Sequence, residues 1–257
     1  MTNTTLWELI KTEALVASQS EPVLASFYHS IILNHATFAA AISFHLANKL
    51  DSQALPAMMI REVVEQAMVA DSQIEKAMMA DIVAHRERDP ACKNVCMPFL
   101  FFKGYHALQS WRIAHWLWQQ NRFSLALFFQ NQISEVFDVD IHPGATIGQS
   151  IMLDHATGVV IGETAVIEDE VSMLHGVTLG GNGCAKKDRH PKIRRGVLIG
   201  VGAKILGCIE VGVGAKIGAG TLVLEDVAAN TTVAGVPAKV IGRSSLEMPA
   251  LNMDHKF

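Results

Sequence analysis

Apolar residues recur every six positions through the second half of the chain: Ile141, Ile147, Leu153, Val159, Ala165, Val171 and Val177, then Ile193, Ile199, Ile205, Val211, Ile217 and Val223. Six matches neither the 3.6-residue period of an α-helix nor the two-residue alternation of a flat strand. It fits a chain that turns a corner every six residues and points one side chain inward per hexad. The pattern therefore predicts a hexapeptide β-helix, a prism whose coils stack like a spring. Three hexads make a coil of about 18 residues, and coils stack at about 4.8 Å. One interruption stands out: Val177 and Ile193 are 16 apart, which is not a multiple of six. Part of Gly180-Gly-Asn-Gly-Cys-Ala-Lys-Lys-Asp-Arg-His-Pro191 must leave the prism as a loop, and such loops tend to lie on one binding face.

Before residue 140 the spacing of apolar positions changes to three and four. Segments 6–17, 22–34, 38–50, 56–70, 74–85, 98–120 and 123–137 read as helices. Asp51 and Asp71 fall in breaks, and Pro56 stands near the start of the next helix. Pro90 biases Asp89 away from helical backbone, so Asp89 caps a turn. The apolar faces exceed what one bundle of short helices needs to bury, which implies either a thick helical core or packing on another subunit. His29, His35, His45, His106 and His115 lie in these runs and read as structural or solvated.

Composition sharpens the boundary. Of 19 glycines only Gly104 precedes residue 140, whereas all four tryptophans and seven of the 11 methionines do. The chain thus reads as α+β: a helical domain over 1–139, a prism over 140–242 and a tail over 243–257. Gly200-Val-Gly-Ala-Lys-Ile205 recurs as Gly212-Val-Gly-Ala-Lys-Ile217, two hexads on and therefore on another face; Lys204 and Lys216 read as solvated. Pro237 closes the ladder, because proline has no N–H for further strand pairing.

A net charge of −4 gives no electrostatic case for nucleic acid or an anionic membrane. No apolar run is long enough to span a bilayer, and the first residues lack a basic, apolar leader. Cys92, Cys96, Cys184 and Cys208 do not have redox or zinc spacing and read as free thiols in a reducing cytoplasm.

Candidate chemistry sits where the ladder is least regular. Asp154-His155-Ala156-Thr157-Gly158 follows rung Leu153, where a structural solenoid has no need of a histidine. Asp140 and His155 are 15 apart, three short of stacking, so a carboxylate and an imidazole could meet outside the prism, within one chain or across a subunit boundary. The loop after Val177 carries Lys186, Lys187, Arg189 and His190, either an anion site or a solvated basic loop; its glycines lack the GxxxxGK[ST] pattern of a phosphate cradle. His142, His155, His175 and His190 are spaced 13, 20 and 15 apart, unlike prism-shaped carbonic anhydrases, and no metal is expected.

Taken together, Asp138-Val-Asp140-Ile-His142-Pro, Asp154-His-Ala-Thr-Gly158, Gly162-Glu-Thr164, Val177-Thr-Leu-Gly-Gly181, Asp188-Arg-His-Pro-Lys192 and Ala234-Gly-Val-Pro-Ala238 resemble bacterial serine O-acetyltransferase over nearly the whole chain. The resemblance implies a left-handed parallel β-helix that passes an acetyl group from acetyl-CoA to the hydroxyl of L-serine, in cysteine biosynthesis. It makes His155 the general base, with Asp140 orienting the ring. It places the substrate ammonium against Asp89 and Asp154, and its carboxylate against Arg189 with His190. Acetyl-CoA is implied in a groove near Gly181, Val201 and the 234–239 segment, with Lys216 and Lys239 toward the phosphates. Cys184 is a bystander, because the family uses direct attack. Also implied are a trimer or dimer of trimers and inhibition by L-cysteine at the serine site. Members that dock on O-acetylserine sulfhydrylase use a terminal isoleucine, whereas this sequence ends in Asp254-His-Lys-Phe257. Either the natural tail runs further or that complex does not form. Two other readings are acetylation of a sugar or antibiotic by the same fold, and a scaffold that uses the prism only for assembly.

Overall fold

The computed structural model describes residues 3–183, 187–243 and 247–253. Cys184, Lys186 and the last four residues of the tail lie outside them.

The first half is helical: α1 (Asn3–Ser20), α2 (Ala25–Tyr28) within a stretch of mixed helical pitch, α3 (Phe38–Lys49), α4 (Ala57–Ala70), α5 (Ser72–Arg88), α6 (Cys96–Phe101), α7 (Lys103–Gln119) and α8 (Phe123–Phe137). Asp71 caps α5 by accepting from the Gln73 amide. The segment expected as one helix over 98–120 is two. Phe102 is extended, with φ −87° and ψ 107°, and α7 restarts after it. The break re-aims α7 so that Gly104 meets the prism, where the Leu153 carbonyl oxygen and Ala156 Cβ leave no space for a side chain.

The second half is a parallel β-helix. Its coils run β1 (Val139–Ile141), β2 (Thr146–Ile147), β3 (Met152–Leu153); β4 (Val159–Ile161), β5 (Val166–Ile167), β6 (Ser172–Met173); β7 (Thr178–Gly180), β8 (Lys192–Ile193), β9 (Leu198–Ile199); β10 (Lys204–Leu206), β11 (Glu210–Val211), β12 (Lys216–Ile217); then β13 (Leu222–Val223) and β14 (Thr231–Ala234). The first sheet is β1-β4-β7-β10-β13, the second β2-β5-β8-β11, and the third β3-β6-β9-β12-β14. An antiparallel β15 (Lys239–Arg243) covers the edge of the third sheet beside β14. A short α9 (Pro249–Asn252) is tied to the third sheet's corner: the Ala250 amide donates to the Gly196 carbonyl, and Ser172 Oγ donates to the Ala250 carbonyl.

All thirteen rungs are buried, but the coil count is less regular than the ladder implied. Ile141 pairs with Ile161, Ile147 with Ile167 and Leu153 with Met173, each step two positions longer than three hexads. Leu179 pairs with Ile205 over a longer step still, and Ile217 with Val233 over a shorter one. Only Ile161–Leu179 and the pairs from Ile193 to Val223 keep the regular three hexads. The expectation of a single interruption is therefore corrected to three departures. Two inward ladders lie two positions apart. The six-residue count follows the first to Leu153, slips onto the second at Val159 because the Asp154–Gly158 turn holds two extra residues, and returns at Ile193. Lys216 is corrected as well: it is only 4 % exposed on β12, whereas Lys204 is solvated. Among the described residues, no helix is long and apolar enough to cross a membrane.

Candidate active site

The chain passes from the third sheet to the first through Asp154-His155-Ala156-Thr157-Gly158. His155 and Ala156 both have positive φ, +57° and +60°, a left-handed conformation costing non-glycine residues of order 1 kcal/mol each. It is held by the Thr157 amide on the His155 carbonyl at 2.8 Å and the Gly158 amide on the Asp138 carbonyl at 2.8 Å. The strain has a result: the turn bulges outward and leaves the His155 side chain 73 % exposed, its Nε2 3.8 Å from Asp154 Oδ2.

Asp89 faces the same place from the helical side. It ends α5 with an extended backbone, as the residue before proline must, and its Oδ1 accepts from the Ala91 amide at 2.7 Å. Asp89, Asp154 and His155 line one cleft of about 380 Å³ with His85, Phe101, Phe102 and Lys103. Burial pushes the Asp154 carboxyl above the ordinary range; His155 opposes the shift and Asp89 adds to it. Two carboxylates at the mouth of an apolar cleft suit a cation such as an ammonium, with an imidazole beside it.

A second cleft of about 360 Å³ lies where α5 and α7 meet the corner near Gly148. It is a poorer candidate. His115 there is engaged at both nitrogens, by the Pro143 carbonyl and Gln119, and Arg112 is committed to Asp81 at 2.7 Å and to the Gly148 carbonyl.

The other expected residues stand elsewhere on the prism. Arg189 and His190 sit at the corner between the first and second sheets, where the loop after β7 returns. Arg189 Nη2 pairs with Glu163 Oε2 at 2.6 Å, which holds the Glu163 carboxyl below its ordinary range. His190 is 7 % exposed; its Nδ1 accepts from the Thr164 amide at 3.1 Å, so the neutral ring carries its proton on Nε2. Burial, then Arg189, lowers its basicity. The first sheet separates this corner from His155. From Gly158 to Glu163 the gap is roughly 16 Å at about 3.3 Å per extended residue, wider than one amino acid can bridge. Within one chain, then, the structure brings Asp89, Asp154 and His155 together and leaves Arg189 and His190 apart.

Asp140 lies on the outward face of β1, where its Oδ1 accepts from Gln130 Nε2 on α8 at 2.7 Å. It makes no contact with the His155 ring in the single chain. Gly181 follows β7 near Arg189, and Val201 stands at the His155 corner. Lys239 is exposed on β15, and the buried Lys216 does not display its ammonium to solvent. Among the described residues, no three histidine, cysteine or acidic side chains gather as metal ligands.

Residues 6–110 match the family model described as serine acetyltransferase, N-terminal. Serine acetyltransferase of Escherichia coli K12 is 56 % identical over 252 residues, covering 98 % of this chain and 92 % of the relative. The chain belongs to the serine acetyltransferase family. A serine acetyltransferase crystal structure from Vibrio cholerae superimposes with TM-score 0.98 at 57 % identity, covering 100 % of this chain and 99 % of that one. A serine acetyltransferase in complex with cysteine gives 0.97 at 53 %, with 100 % of both chains covered. The enzyme from Brucella abortus in complex with coenzyme A gives 0.92 at 46 %, covering 94 % and 96 %. The cleft therefore belongs to an acetyltransferase. Two site neighbours carried no role in the sequence reading: Glu163, which pairs with Arg189 from the preceding coil, and His175, which stacks one coil above His155. Both offsets become visible only when the extra residues of the turn and loop are counted.

Proposed function

We propose that the protein transfers acetyl from acetyl-CoA to the hydroxyl of L-serine, with His155 as general base. The observation that carries this reading is the single cleft in which His155 stands beside Asp154 and opposite Asp89. A serine hydroxyl attacks poorly until its proton is removed, and an imidazole titrating near neutrality suits that step. The two carboxylates receive the substrate ammonium. Its carboxylate needs a cation, and Arg189 with His190 supplies one from a second copy of the chain, because the width of the first sheet keeps them out of reach within one. A guanidinium can hold a carboxylate with two parallel bonds. Asp140 orients the imidazole in the assembled enzyme: either the exposed His155 ring swings from Asp154 toward β1 or a neighbouring copy presents its Asp140.

Acetyl-CoA is placed along the corner of Val201 and the strand end at Gly181, with Lys239 toward the phosphates; Lys216 takes part only if its cover moves. The relative solved with coenzyme A supports this co-substrate, and the one solved with cysteine supports inhibition by L-cysteine at the serine site. The proposed setting is cysteine biosynthesis in the cytoplasm, as a trimer or dimer of trimers.

Thiol release from acetyl-CoA tests the reading with L-serine, a galactoside and chloramphenicol as acceptors. Serine alone is expected to turn over, and His155→Ala to lose at least ~10²-fold in rate. No turnover of serine by the wild type would overturn the proposal.

A further inference from the structure

The end of α5 is fastened to the prism by a charge with no counter-ion beside it. Arg88 is only 5 % exposed, and among the described residues it forms no ion pair. Its Nη2 donates to Ser150 Oγ at 2.7 Å and its Nη1 to Ser172 Oγ at 3.1 Å, while its Nε is buried without a partner. Ser172 Oγ in turn donates to the Ala250 carbonyl at 3.0 Å. Burial lowers the basicity of the guanidinium, against the more distant acids Glu170, Asp81 and Glu87. A buried guanidinium held by two hydroxyls is a costly way to join two surfaces, because apolar side chains of that volume would join them without the desolvation. What the charge adds is direction: a planar fork fixes two acceptors at once.

Asp81 stands two turns earlier on the same face of α5 and accepts from the Ile151 amide at 2.9 Å. Arg88 and Asp81 thus pin the helix at two points onto the adjacent residues Ser150 and Ile151, which fixes both its position and its rotation. Asp89 comes next, where the helix ends. Among the described residues its carboxylate accepts only from the Ala91 amide and makes no hydrogen bond to the prism, yet it lines the cleft with Asp154 and His155. We propose that Arg88 is a positioning residue for serine recognition: its fork on Ser150 and Ser172 sets the Asp89 carboxylate against Asp154, and with it the grip on the substrate ammonium. The inference rests on the serine acetyltransfer reading above. The ammonium is not a reacting group, so a displaced Asp89 weakens ground state and transition state alike, and the loss falls on KM rather than kcat.

The test is a double-mutant cycle of Arg88→Lys and Asp89→Asn in the full chain, after wild-type turnover of serine is established. Lysine keeps the charge but cannot hold both hydroxyls in one plane. Arg88→Lys is expected to raise the serine KM about tenfold, with kcat and the acetyl-CoA KM within about threefold of wild type. On the Asp89→Asn background the same substitution is expected to change the serine KM less than about twofold, because the group it positions has already lost its charge. Ser150→Ala, which removes one of the two acceptors, carries the same cycle if the lysine variant does not fold. An unchanged serine KM, a loss confined to kcat, or an equal factor on both backgrounds overturns the inference; the last is what a clamp serving stability alone would give. Failure of the wild type on serine instead sinks the functional reading before any variant is compared.

Discussion

Gly104 is the one glycine of the helical half, and it stands in the first turn of α7 against the corner that carries His155. A Cβ added there would lie 2.2 Å from the Leu153 carbonyl oxygen and 2.9 Å from Ala156 Cβ, whereas ordinary contact begins near 3.4 Å. Both obstacles are stiff: a backbone carbonyl and a Cβ have no flexible end to swing aside. Two effects of Gly104→Ala oppose each other. Alanine gains up to ~1 kcal/mol of helix propensity, less in a first turn. Overpacking costs roughly 1–3 kcal/mol, and the larger value applies when the neighbour is backbone. Overpacking should win by about 1–2 kcal/mol, a drop in Tm of about 2–8 °C for a chain of this size.

The effect on rate should be larger than the effect on stability. Leu153 and Ala156 flank Asp154 and His155, so relief of the clash moves the turn. A displacement of roughly 1 Å at reacting groups costs about 10²-fold. Thermal melts and kcat/KM for serine, measured near room temperature where the variant stays folded, check both numbers. Gly242→Ala, where nothing lies within 4 Å, is the silent control. A Gly104→Ala enzyme as active as wild type and melting higher would show that helix propensity governs, and would refute the assignment of Gly104 as the spacer behind the site.

Other perturbations reach different parts of the molecule. Burial lowers His45 and His85 to about 3, so each stays neutral when folded and takes a proton near 6.5 when unfolded. The unfolded chain then binds more protons below pH 6.5, and stability falls as pH drops toward 3, by roughly 2 kcal/mol per histidine at pH 5; equal urea midpoints at pH 7.5 and 5 would contradict this. Arg189→Lys keeps the charge but loses the planar fork, so the serine KM should rise about tenfold with kcat changed less; an unchanged KM removes Arg189 from the carboxylate grip. Gly162→Ala places a Cβ 2.0 Å from His190 Nε2, which should expel that ring and raise the serine KM, while a crystal structure with His190 unmoved would deny the clash.

The prism was legible in the sequence because a buried corner tolerates little but an apolar side chain, so the hexad leaves a periodic trace. The break within 98–120 leaves no such trace, for the opposite reason. Phe99, Leu100, Phe102 and Tyr105 satisfy a helical period, and the break at Phe102 comes from a tertiary demand, the seating of Gly104 on the prism, which has no local signal. Lys216 shows the same limit: its hexad is identical to that of Lys204, yet one lysine is buried and the other exposed because they fall on different sheets. Within the site, Asp89 showed only a turn by local chemistry, and its place opposite Asp154 depends on how the end of α5 packs over the third-sheet corner. The distance between Arg189 and His155 was invisible for another reason: a ladder gives the order of corners along the chain but not the width of the face between them.

That width links the coil count to the chemistry. A regular coil of three hexads spends each hexad on an inward apolar residue and a tight corner, and has little length left to project a polar side chain. Length added at a corner must go outward. Two extra residues after Leu153 lift Asp154 and His155 off the prism and bring His155 into register with His175. A longer insertion after Leu179 carries Arg189 and His190 out from the next corner of the same sheet. The two groups flank one face of the prism, a full strand length apart. In the proposed enzyme a lone prism would hold two half-sites, and side-by-side packing of equivalent faces would close them into whole ones. Oligomerisation and activity should therefore be lost together, and a variant that remains monomeric yet acetylates serine at the wild-type rate would break that argument.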